Sequence, residues 1–417
     1  MEVNIGLIGT GTIGSGVINI LNKNSELIEK RTGIKLILKK ACDKEVENAK
    51  KLGIKEVTTN YEDVINDPDI NIIIELIGGY DPAKEIILKA LKNKKHVVTA
   101  NKALIAKHGD EIFKTAKENN VNIAFEAAIG GCIPIIKTIK ESYATDKIKN
   151  IYGILNGTTN YILTKMEEGA SYKDALKKAQ ELGFAEADPE FDVEGKDAAQ
   201  KITILSKLAF NTTIKEEILT KGITKLSKND LKYADELGYK IKLLAIAKNE
   251  NNEIEIRVHP TMIPKNHELA AVKNELNAVY LVGENTTESM LYGKGAGQLP
   301  TATVVLGDVI DIAKGKKDNF YFENKKIKDM NKIISRYYIR FSVINKPGTL
   351  TQITKILGDN QISIASVNQK EDNKEIVPII LTTYKAPKEN ITKAIREIYP
   401  LGVIKDNPVV IRIEDLS

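Results

Sequence analysis

The segment EVNIGLIGTGTIG, residues 2–14, joins a short apolar run to a glycine-rich turn. After the turn, apolar residues return at helical spacing in Val17, Ile18 and Leu21. A strand, a glycine turn and a helix in this order are typical of a dinucleotide-binding site, because glycine lets main-chain N–H groups approach a pyrophosphate at the helix N-terminus. The alternative is a plain tight turn. The cofactor-binding candidates in this turn are Gly9, Thr10, Gly11, Thr12, Ile13 and Gly14.

The second apolar run, residues 35–41, is followed by an acidic residue that can hold the ribose of the cofactor. Asp43 stands where a carboxylate would accept a hydrogen bond from the adenosine ribose. Its distance from the glycine turn exceeds the usual ~20 residues, since residues 22–33 insert a polar loop. Nearby lysines can instead bind a 2′-phosphate, and these are Lys39, Lys40 and Lys44. The sequence therefore leaves NAD and NADP open.

Strand-like and helix-like runs keep alternating up to residue 128. The strand-like runs are residues 70–78, 96–101 and 122–128, and the helix-like runs are residues 82–91 and 104–119. Near-continuous apolar strands that alternate with helices predict a parallel sheet covered on both faces. Residues 1–133 are therefore predicted to form an α/β Rossmann-type domain that binds NAD or NADP.

Composition excludes several classes of protein. At 417 residues, with 42% hydrophobic and 28% charged residues, the chain suits two or three globular domains. Lysines mixed with acids form no nucleic-acid-binding stripe, and no apolar run approaches the ~20 residues of a membrane span. The two cysteines and four dispersed histidines argue against disulfides and a zinc site. With no signal peptide before the first strand, we expect a cytoplasmic protein without nucleic-acid or membrane partners.

Residues 134–314 break the regular alternation and predict a second, α+β domain for substrate binding and dimerisation. Its first strand, residues 148–155, leads into N-G-T-T-N-Y at residues 156–161. There Gly157 permits a turn, and Thr158 can cap the helix that follows. Further elements are a helix near residues 231–247, strands near 254–263 and 277–283, and a helix at 301–313 after the glycine-rich turn 293–297.

An acidic stretch precedes a helix-like run at residues 196–210. Six carboxylates fall within twelve positions, and these are Glu186, Asp188, Glu190, Asp192, Glu194 and Asp197. In the predicted helix, Asp197 and Lys201 are four residues apart and share one face. A carboxylate beside a lysine keeps that lysine oriented, and the acids before the helix can bind a substrate ammonium group. The alternative is a solvated acidic loop with a surface ion pair.

Two further charged residues stand at the ends of predicted strands, where ligands bind in open α/β sheets. Lys102 closes the segment T-A-N-K, residues 99–102, and can reach a nicotinamide ring or a reacting carbonyl. The alternative for Lys102 is a surface lysine. Glu126 lies at an otherwise apolar strand end, where an unpaired charge is costly, so we expect it to have a partner.

The C-terminal part of the chain changes pattern again. Residues 315–334 are polar and rich in lysine, which predicts a linker. Residues 335–417 then follow the order strand, helix, strand, strand, helix, strand, which is ferredoxin-like. The strands are predicted at residues 336–344, 362–369, 376–384 and 403–413, and the helices at 348–358 and 388–398.

Taken together, these motifs resemble the homoserine dehydrogenase family. The signature positions are Ala179, Gly183, Phe184, Ala185, Asp188, Pro189, Asp192, Val193, Gly195, Asp197 and Lys201. The segments T-A-N-K and N-G-T-T-N-Y are also similar to elements of that family. The resemblance implies reduction of L-aspartate 4-semialdehyde to L-homoserine by NADH or NADPH. It further implies that Lys201, oriented by Asp197, donates the proton and that Lys102 lies near cofactor and substrate, with the two lysines exchangeable in role.

The same resemblance implies the remaining site residues. Substrate binding is assigned to Glu186, Asp192, Asp197 and Lys102. Cofactor contacts beyond the glycine turn and Asp43 are assigned to Thr99, Lys102, Gly295 and Gly297. A sodium or potassium ion is expected between the Glu126 side chain and the main-chain carbonyls of Ile129, Gly131 and Ile133, since hard cations prefer oxygen ligands. The alternative for Glu126 is hydrogen bonding to main-chain N–H groups.

With N-K-P-G-T-L at residues 345–350, the C-terminal region resembles an ACT domain, a module that senses amino acids and dimerises. This implies an amino-acid effector and a homodimer or homotetramer, although the acid usual in this loop is Asn345 here. Two other functions stay open, a non-catalytic sensor of nucleotide and amino acid, and a dehydrogenase for another aldehyde. The lysine pair favours an enzyme, because a sensor has no need of a proton donor.

Overall fold

Two structural units, each assembled from separate stretches of sequence, make up the chain. The computed structural model describes residues 1–370 and 374–416. The first unit comprises residues 1–157, 197–215 and 276–325, and the second comprises residues 158–196, 216–275 and the described part of 326–417. Within the described residues, none of the helices has both the length and the apolar composition that a membrane crossing requires.

The elements are numbered in chain order. The strands are β1 (Glu2–Ile8), β2 (Lys35–Cys42), β3 (Val57–Thr58), β4 (Ile72–Glu75), β5 (His96–Thr99), β6 (Ile123–Ala124), β7 (Ile148–Ile154), β8 (Leu219–Thr220), β9 (Tyr239–Glu250), β10 (Glu253–Pro264), β11 (Leu276–Gly283), β12 (Glu288–Lys294), β13 (Lys326–Ile327), β14 (Ile334–Ile344), β15 (Ile364–Asn368), β16 (Ile376–Thr383), β17 (Ala386–Pro387) and β18 (Val409–Ile413). The helices are α1 (Thr12–Thr32), α2 (Val46–Lys51), α3 (Glu62–Ile65), α4 (Ala83–Lys92), α5 (Lys102–Glu118), α6 (Ile135–Lys137), α7 (Gly157–Glu167), α8 (Tyr172–Glu181), α9 (Glu190–Val193), α10 (Lys196–Phe210), α11 (Lys228–Glu236), α12 (Gln298–Ala313), α13 (Thr349–Asp359) and α14 (Lys388–Ile398).

The first unit contains the predicted parallel sheet. Its six strands lie in the order β3-β2-β1-β4-β5-β6, and each neighbouring pair is parallel. The central strand β4 is buried at every position, as expected for a strand covered on both faces. The strand order is that of a doubly wound dinucleotide-binding domain, so the predicted Rossmann-type fold is confirmed.

Helix α12 packs against α1 in the core of this unit. Ala302, Val305 and Leu306 of α12 belong to the same apolar cluster as Val17 of α1. Gly16 permits the close approach, since a Cβ atom there would lie 2.9 Å from Cγ of Gln298. At residue 298 the chain thus comes back to the helix that follows the glycine turn. That helix continues to Thr32 and ends at Gly33, so the polar loop predicted at residues 22–33 is wrong.

Three antiparallel strands and an aromatic cluster complete the first unit. Strand β11 pairs with β7 on one side and with β12 on the other. Residues 315–325, predicted as the start of a linker, also belong to this unit. There the ring of Phe320 stacks on that of Phe113, with 4.2 Å between the centroids. This stretch is thus packed on the Rossmann-type fold, while the predicted domain boundaries stay a prediction.

The second unit is built on the hairpin of β9 and β10. The predicted helix near residues 231–247 is wrong in its second half, because α11 ends at Glu236 and β9 begins at Tyr239. Gly238, with a φ of 86°, follows α11 in a conformation that favours glycine. Residues 243–247 of β9 are all buried. A continuous apolar run fits either a buried strand or a buried helix, and here its burial within a sheet makes it a strand.

The C-terminal region has the predicted ferredoxin-like order. Strands β14, β15, β16 and β18 form the sheet order β18-β14-β16-β15, with antiparallel neighbours. On its other side β18 pairs in parallel with β10, so this sheet continues into the hairpin. At that seam the buried Arg257 of β10 donates to Glu255 at 2.8 Å and to Glu414, directly after β18.

Candidate active site

The glycine turn joins β1 to α1 with its main chain folded closely on itself. Gly9 has a φ of 99°, and a Cβ atom there would lie 2.8 Å from the main-chain carbon of Leu76. A Cβ atom at Gly14 would lie 2.1 Å from the oxygen of Gly9, so both positions require glycine. Because Gly11 precedes α1 and has no side chain to cap it, the first N–H groups of α1 can bind a pyrophosphate.

Asp43, directly after β2, is hydrogen-bonded to this turn. Its Oδ2 accepts from the main-chain N–H of Thr10 at 2.6 Å and from the Thr10 hydroxyl at 2.7 Å. Its Oδ1 accepts from the N–H of Glu45 at 3.0 Å. Partial burial raises the pKa of Asp43, but these hydrogen bonds outweigh it and hold the pKa below its usual value. Asp43 is therefore an anion beside the glycine turn at neutral pH.

Two of the three lysines near β2 are already paired with acids. Lys39 forms ion pairs with Asp67 at 2.9 Å and with Asp69 at 2.6 Å. Lys40 pairs with Asp67 at 3.0 Å. Lys44 is exposed. The end of β2 is consequently less positive than the three lysines of the sequence suggest.

The segment T-A-N-K is held in place by a carboxylate that the sequence analysis missed. Glu75, the last residue of β4, is buried and accepts the Thr99 hydroxyl at 2.6 Å. The N–H of Asn101 donates to the same hydroxyl at 3.0 Å, and the Asn101 side chain caps α5 by accepting from Leu104 N–H at 3.1 Å. This chain of hydrogen bonds fixes the first turn of α5, where Lys102 lies.

Burial raises the pKa of Glu75, and hydrogen bonds to its carboxylate oppose that shift. Besides the Thr99 hydroxyl, the N–H groups of Ile77 and Gly78 donate to it at 2.8 Å and 3.3 Å. The sequence signal for Glu75 is a single acid inside the apolar run I-N-I-I-I-E-L-I-G, residues 70–78. An acid in such a run requires buried partners, which sequence alone does not identify.

Two lysines from distant stretches share the carboxylate of Asp197. Lys201 Nζ donates to Asp197 Oδ2 and to the carbonyl of Leu155, each at 2.7 Å. Lys102 Nζ lies 3.2 Å from Asp197 Oδ1, and Asn156 Nδ2 donates to Oδ2 at 2.9 Å. Burial raises the pKa of Asp197, but the two lysines and the hydrogen bonds outweigh it and lower the pKa to about 2. One anion therefore orients two ammonium groups.

Lys201 keeps one N–H group for a ligand. Its ammonium carries three donors, and in the described part of the chain only the carboxylate of Asp197 and the carbonyl of Leu155 accept from it. Its side chain is 11% exposed, whereas that of Lys102 is 33% exposed. The arrangement can donate a hydrogen bond and a proton to an oxygen atom that approaches the pair.

Comparison with known proteins decides the family. The family profile "Homoserine dehydrogenase, NAD binding domain" matches residues 9–126, "Homoserine dehydrogenase" matches 134–310 and "ACT domain" matches 337–399. The homoserine dehydrogenase of Neisseria gonorrhoeae is 42% identical over 99% of this chain and 99% of its own. The homoserine dehydrogenase of Bacillus subtilis is 39% identical over 99% of this chain and 98% of its own. The chain belongs to the homoserine dehydrogenase family.

The same conclusion follows from three-dimensional similarity. A crystal structure of a homoserine dehydrogenase from Thiobacillus denitrificans superimposes with a TM-score of 0.94 at 42% sequence identity. The superposition covers 100% of this chain and 99% of the chain from Thiobacillus denitrificans. The predicted resemblance, the nicotinamide-cofactor domain and the ACT domain are therefore confirmed.

Gly297 lies where the chain returns to the cofactor domain. Gly297 directly precedes α12, and the side chain of Gln298 donates to Oγ of Ser15 at 3.0 Å. Ser15 lies in the first turn of α1, directly after the glycine turn. The structure thus brings Gly297 near the predicted pyrophosphate site.

Gly295 packs against a different part of the site, the corner at residues 129–133. A Cβ atom at Gly131 would lie 2.6 Å from the main-chain carbon of Gly295. The main-chain N–H of Cys132 donates to the carbonyl of Lys294 at 3.3 Å. The glycine-rich turn is therefore held on the corner that was predicted to bind a cation.

Glu126 adopts the alternative that the sequence left open, hydrogen bonding to the main chain. Its two oxygens accept from the N–H groups of Ile136 and Lys137, each at 2.7 Å. Burial raises the pKa of Glu126 to about 7. Across residues 1–370 and 374–416, no group of three or more His, Cys, Asp or Glu residues could hold a metal ion. The cation set of Glu126, Ile129, Gly131 and Ile133 stays a prediction.

The two remaining substrate-binding candidates lie in the second unit. Glu186 is exposed, and Asp192, in α9, accepts from the Thr158 hydroxyl at 3.2 Å. Thr158 lies inside α7, which begins at Gly157, so its predicted role as the residue that caps this helix is wrong. Its hydroxyl also donates to the carbonyl of Phe184. A role for Glu186 and Asp192 in substrate binding stays a prediction.

We predict that Thr99→Val destabilises the protein by about 1–3 kcal/mol, because a buried carboxylate loses a donor. The matched control is Thr115→Val, whose hydroxyl donates to the Glu111 carbonyl within α5 and whose loss should cost little. Urea unfolding of both variants measures the free energies. Equal losses in the two variants would show that Glu75 does not depend on Thr99.

Proposed function

We propose that this chain reduces L-aspartate 4-semialdehyde to L-homoserine and that Lys201 supplies the proton. The single observation that supports this role is the sharing of Asp197 by Lys102 and Lys201 in the unit that contains the glycine turn. The two ammonium groups share one carboxylate, which holds them close to each other. An aldehyde oxygen is proposed to bind beside this pair, where positive charge would stabilise it.

NAD(P)H held at the glycine turn would supply a hydride to the aldehyde carbon, and the carbonyl oxygen would then become an alkoxide. Lys201 donates a hydrogen bond to the carbonyl oxygen and then transfers one proton to the alkoxide, which leaves a neutral amine that solvent reprotonates. Asp197 stabilises the ammonium form before the transfer and keeps Lys201 in place. Lys102 adds a second positive charge that stabilises the developing oxyanion.

The substrate also carries an α-ammonium group, for which the acidic stretch supplies acceptors. Asp192 and Glu186 are proposed to bind this cation by ion pairing. The hydrogen bond from Thr158 to Asp192 supports this role, since it orients the carboxylate. Thr158 belongs to N-G-T-T-N-Y, the segment that the family resemblance assigns to the site.

Replacing Lys201 with methionine is expected to lower kcat by about 10²–10⁴-fold, the range typical of general acid catalysis. The dissociation constant of NADH should stay unchanged, because Lys201 is assigned to the substrate oxygen. Oxidation of NADH with aspartate semialdehyde measures kcat, and NADH fluorescence measures binding. Lys178→Met, which removes an exposed lysine paired with Glu181, is the matched control.

Different outcomes distinguish the alternatives. Full turnover by Lys201→Met, with loss of turnover in Lys102→Met, would assign the proton donor to Lys102. Binding of cofactor and amino acid without any turnover by the wild type would identify a non-catalytic sensor. Faster turnover of another aldehyde in a small panel would identify a different dehydrogenase.

Cofactor preference is proposed to be for NADH over NADPH. Asp43 is an anion beside the glycine turn and would repel a 2′-phosphate, while it can accept hydrogen bonds from a free ribose. Lys39 and Lys40, which could have bound that phosphate, are paired with Asp67 and Asp69. The local charge therefore favours the cofactor without the phosphate.

For Asp43→Asn we predict that the ratio of kcat/KM with NADPH to that with NADH rises about tenfold, since removing one like charge changes binding by roughly 1.4 kcal/mol. Asparagine keeps an oxygen that can accept from Thr10. The control is Asp69→Asn, which removes one of the two acids that pair with Lys39 without altering Asp43. A larger rise in the control than in Asp43→Asn would transfer the selectivity to the lysines.

A monovalent cation at residues 126–133 is proposed to bind between the Glu126 side chain and main-chain carbonyls. Each oxygen of Glu126 accepts one N–H group and keeps a lone pair for a cation, and Ile129, Gly131 and Ile133 would add their carbonyl oxygens. We expect kcat to fall when sodium and potassium are replaced by tetramethylammonium at constant ionic strength. Unchanged kcat in that buffer would exclude a catalytic cation.

Assembly, effector and location are also proposed from the domain content. The ACT domain supports a homodimer or homotetramer, which light scattering would test.

The loop of the ACT domain at residues 345–350 lines an open groove with Gln369, where an amino-acid effector would bind. Inhibition by added threonine, measured in the same assay, would establish that effector. A cytoplasmic location stays a prediction.

A further inference from the structure

Lys207, near the end of α10, forms an ion pair with α5. Lys207, whose side chain is 4% exposed, donates from Nζ to Asp110 Oδ1 at 3.0 Å and to the carbonyl of Ala106 at 3.5 Å. The other bridge between these helices runs from Lys102 to Asp197. Each helix therefore provides a lysine to an acid of the other helix.

The two bridges lie at different heights along the helices. On α5, Lys102, Ala106 and Asp110 recur every four residues and so share one face. Residues 102 and 110 are about 12 Å apart along the axis of α5, and residues 197 and 207 are about 15 Å apart along that of α10. One bridge alone would act as a pivot. Two separated bridges fix the angle between the helices as well as their distance.

The charge of Lys207 contributes little to the free energy of folding. A buried ammonium loses its hydration, and Asp110, with 43% of its side chain exposed, makes a weakened ion pair because water screens it. An apolar side chain of similar length would pack in the same place without that cost. The gain from the charged pair is geometric, since it sets the position of α5 relative to α10.

We propose that Lys207 is a positioning residue which, with Asp110, holds α5 against α10 so that the ammonium groups of Lys102 and Lys201 meet on Asp197. This role rests on the proposed function, in which those two lysines act on the substrate. Lys207 itself contacts neither Asp197 nor Lys201 in the described structure. Its effect on the reaction passes through the helices.

The test uses Lys207→Met and Asp110→Asn in the full chain. Each variant is expected to lower kcat about tenfold, because small misplacements of catalytic groups are costly, while the dissociation constant of NADH stays unchanged. The double variant should lose no more than either single variant, and Lys207→Arg should restore kcat.

Lys84→Met is the matched control. Lys84 pairs at 2.7 Å with Glu111, the residue after Asp110, and joins α4 rather than α10 to α5. It should leave kcat unchanged. A Lys207→Met variant that loses stability in urea but keeps wild-type kcat would overturn the positioning role, and so would equal effects of Lys84→Met. A wild type without turnover would overturn the proposed function itself, together with this role.

Discussion

The carboxylate of Asp197 is the interaction on which the candidate site depends. Burying a carboxylate is costly unless opposite charges and hydrogen bonds compensate. Here Lys201, Lys102 and Asn156 supply that compensation, and the pKa of Asp197 falls to about 2 although burial opposes the shift. Because the anion is permanent at neutral pH, it holds the two lysine side chains in a fixed orientation. Proton donation to an alkoxide requires a donor that is held in place in this way.

A chain of hydrogen bonds at the edge of the Rossmann-type sheet fixes the position of Lys102. Glu75 ends β4, Thr99 ends β5, and the hydroxyl between them connects the two strands to the cap of α5. Lys102 is the first residue of that helix. Its position is therefore fixed by the carboxyl edge of the sheet, the same edge at which the glycine turn presents N–H groups to a cofactor.

In the second unit, the sheet of the ACT domain continues into the hairpin of β9 and β10. Strand β18 lies between β14 and β10, and Glu414 receives hydrogen bonds from Arg257 of β10 and, at 3.0 Å, from Lys248 of β9. Removing one partner from such a buried set would leave an uncompensated charge. The ferredoxin-like sheet and the hairpin thus share strand pairing and a charged core rather than a flexible connection.

Much of this protein is determined by sequence alone. The order of strand, glycine turn and helix, the parallel sheet, the ferredoxin-like order and the helix at Lys196–Phe210 follow from local periodicity and turn chemistry, which neighbouring residues determine. The pairing of Asp197 with Lys201 also follows, because residues four apart share a helix face. Tertiary structure decided the rest. Residues 239–250 form a strand because they are buried in a sheet. Lys102 pairs with Asp197, Glu75 binds Thr99, and Lys39 and Lys40 pair with acids of a later stretch only in the folded chain. Such contacts join residues that are far apart in sequence, so local sequence patterns do not predict them.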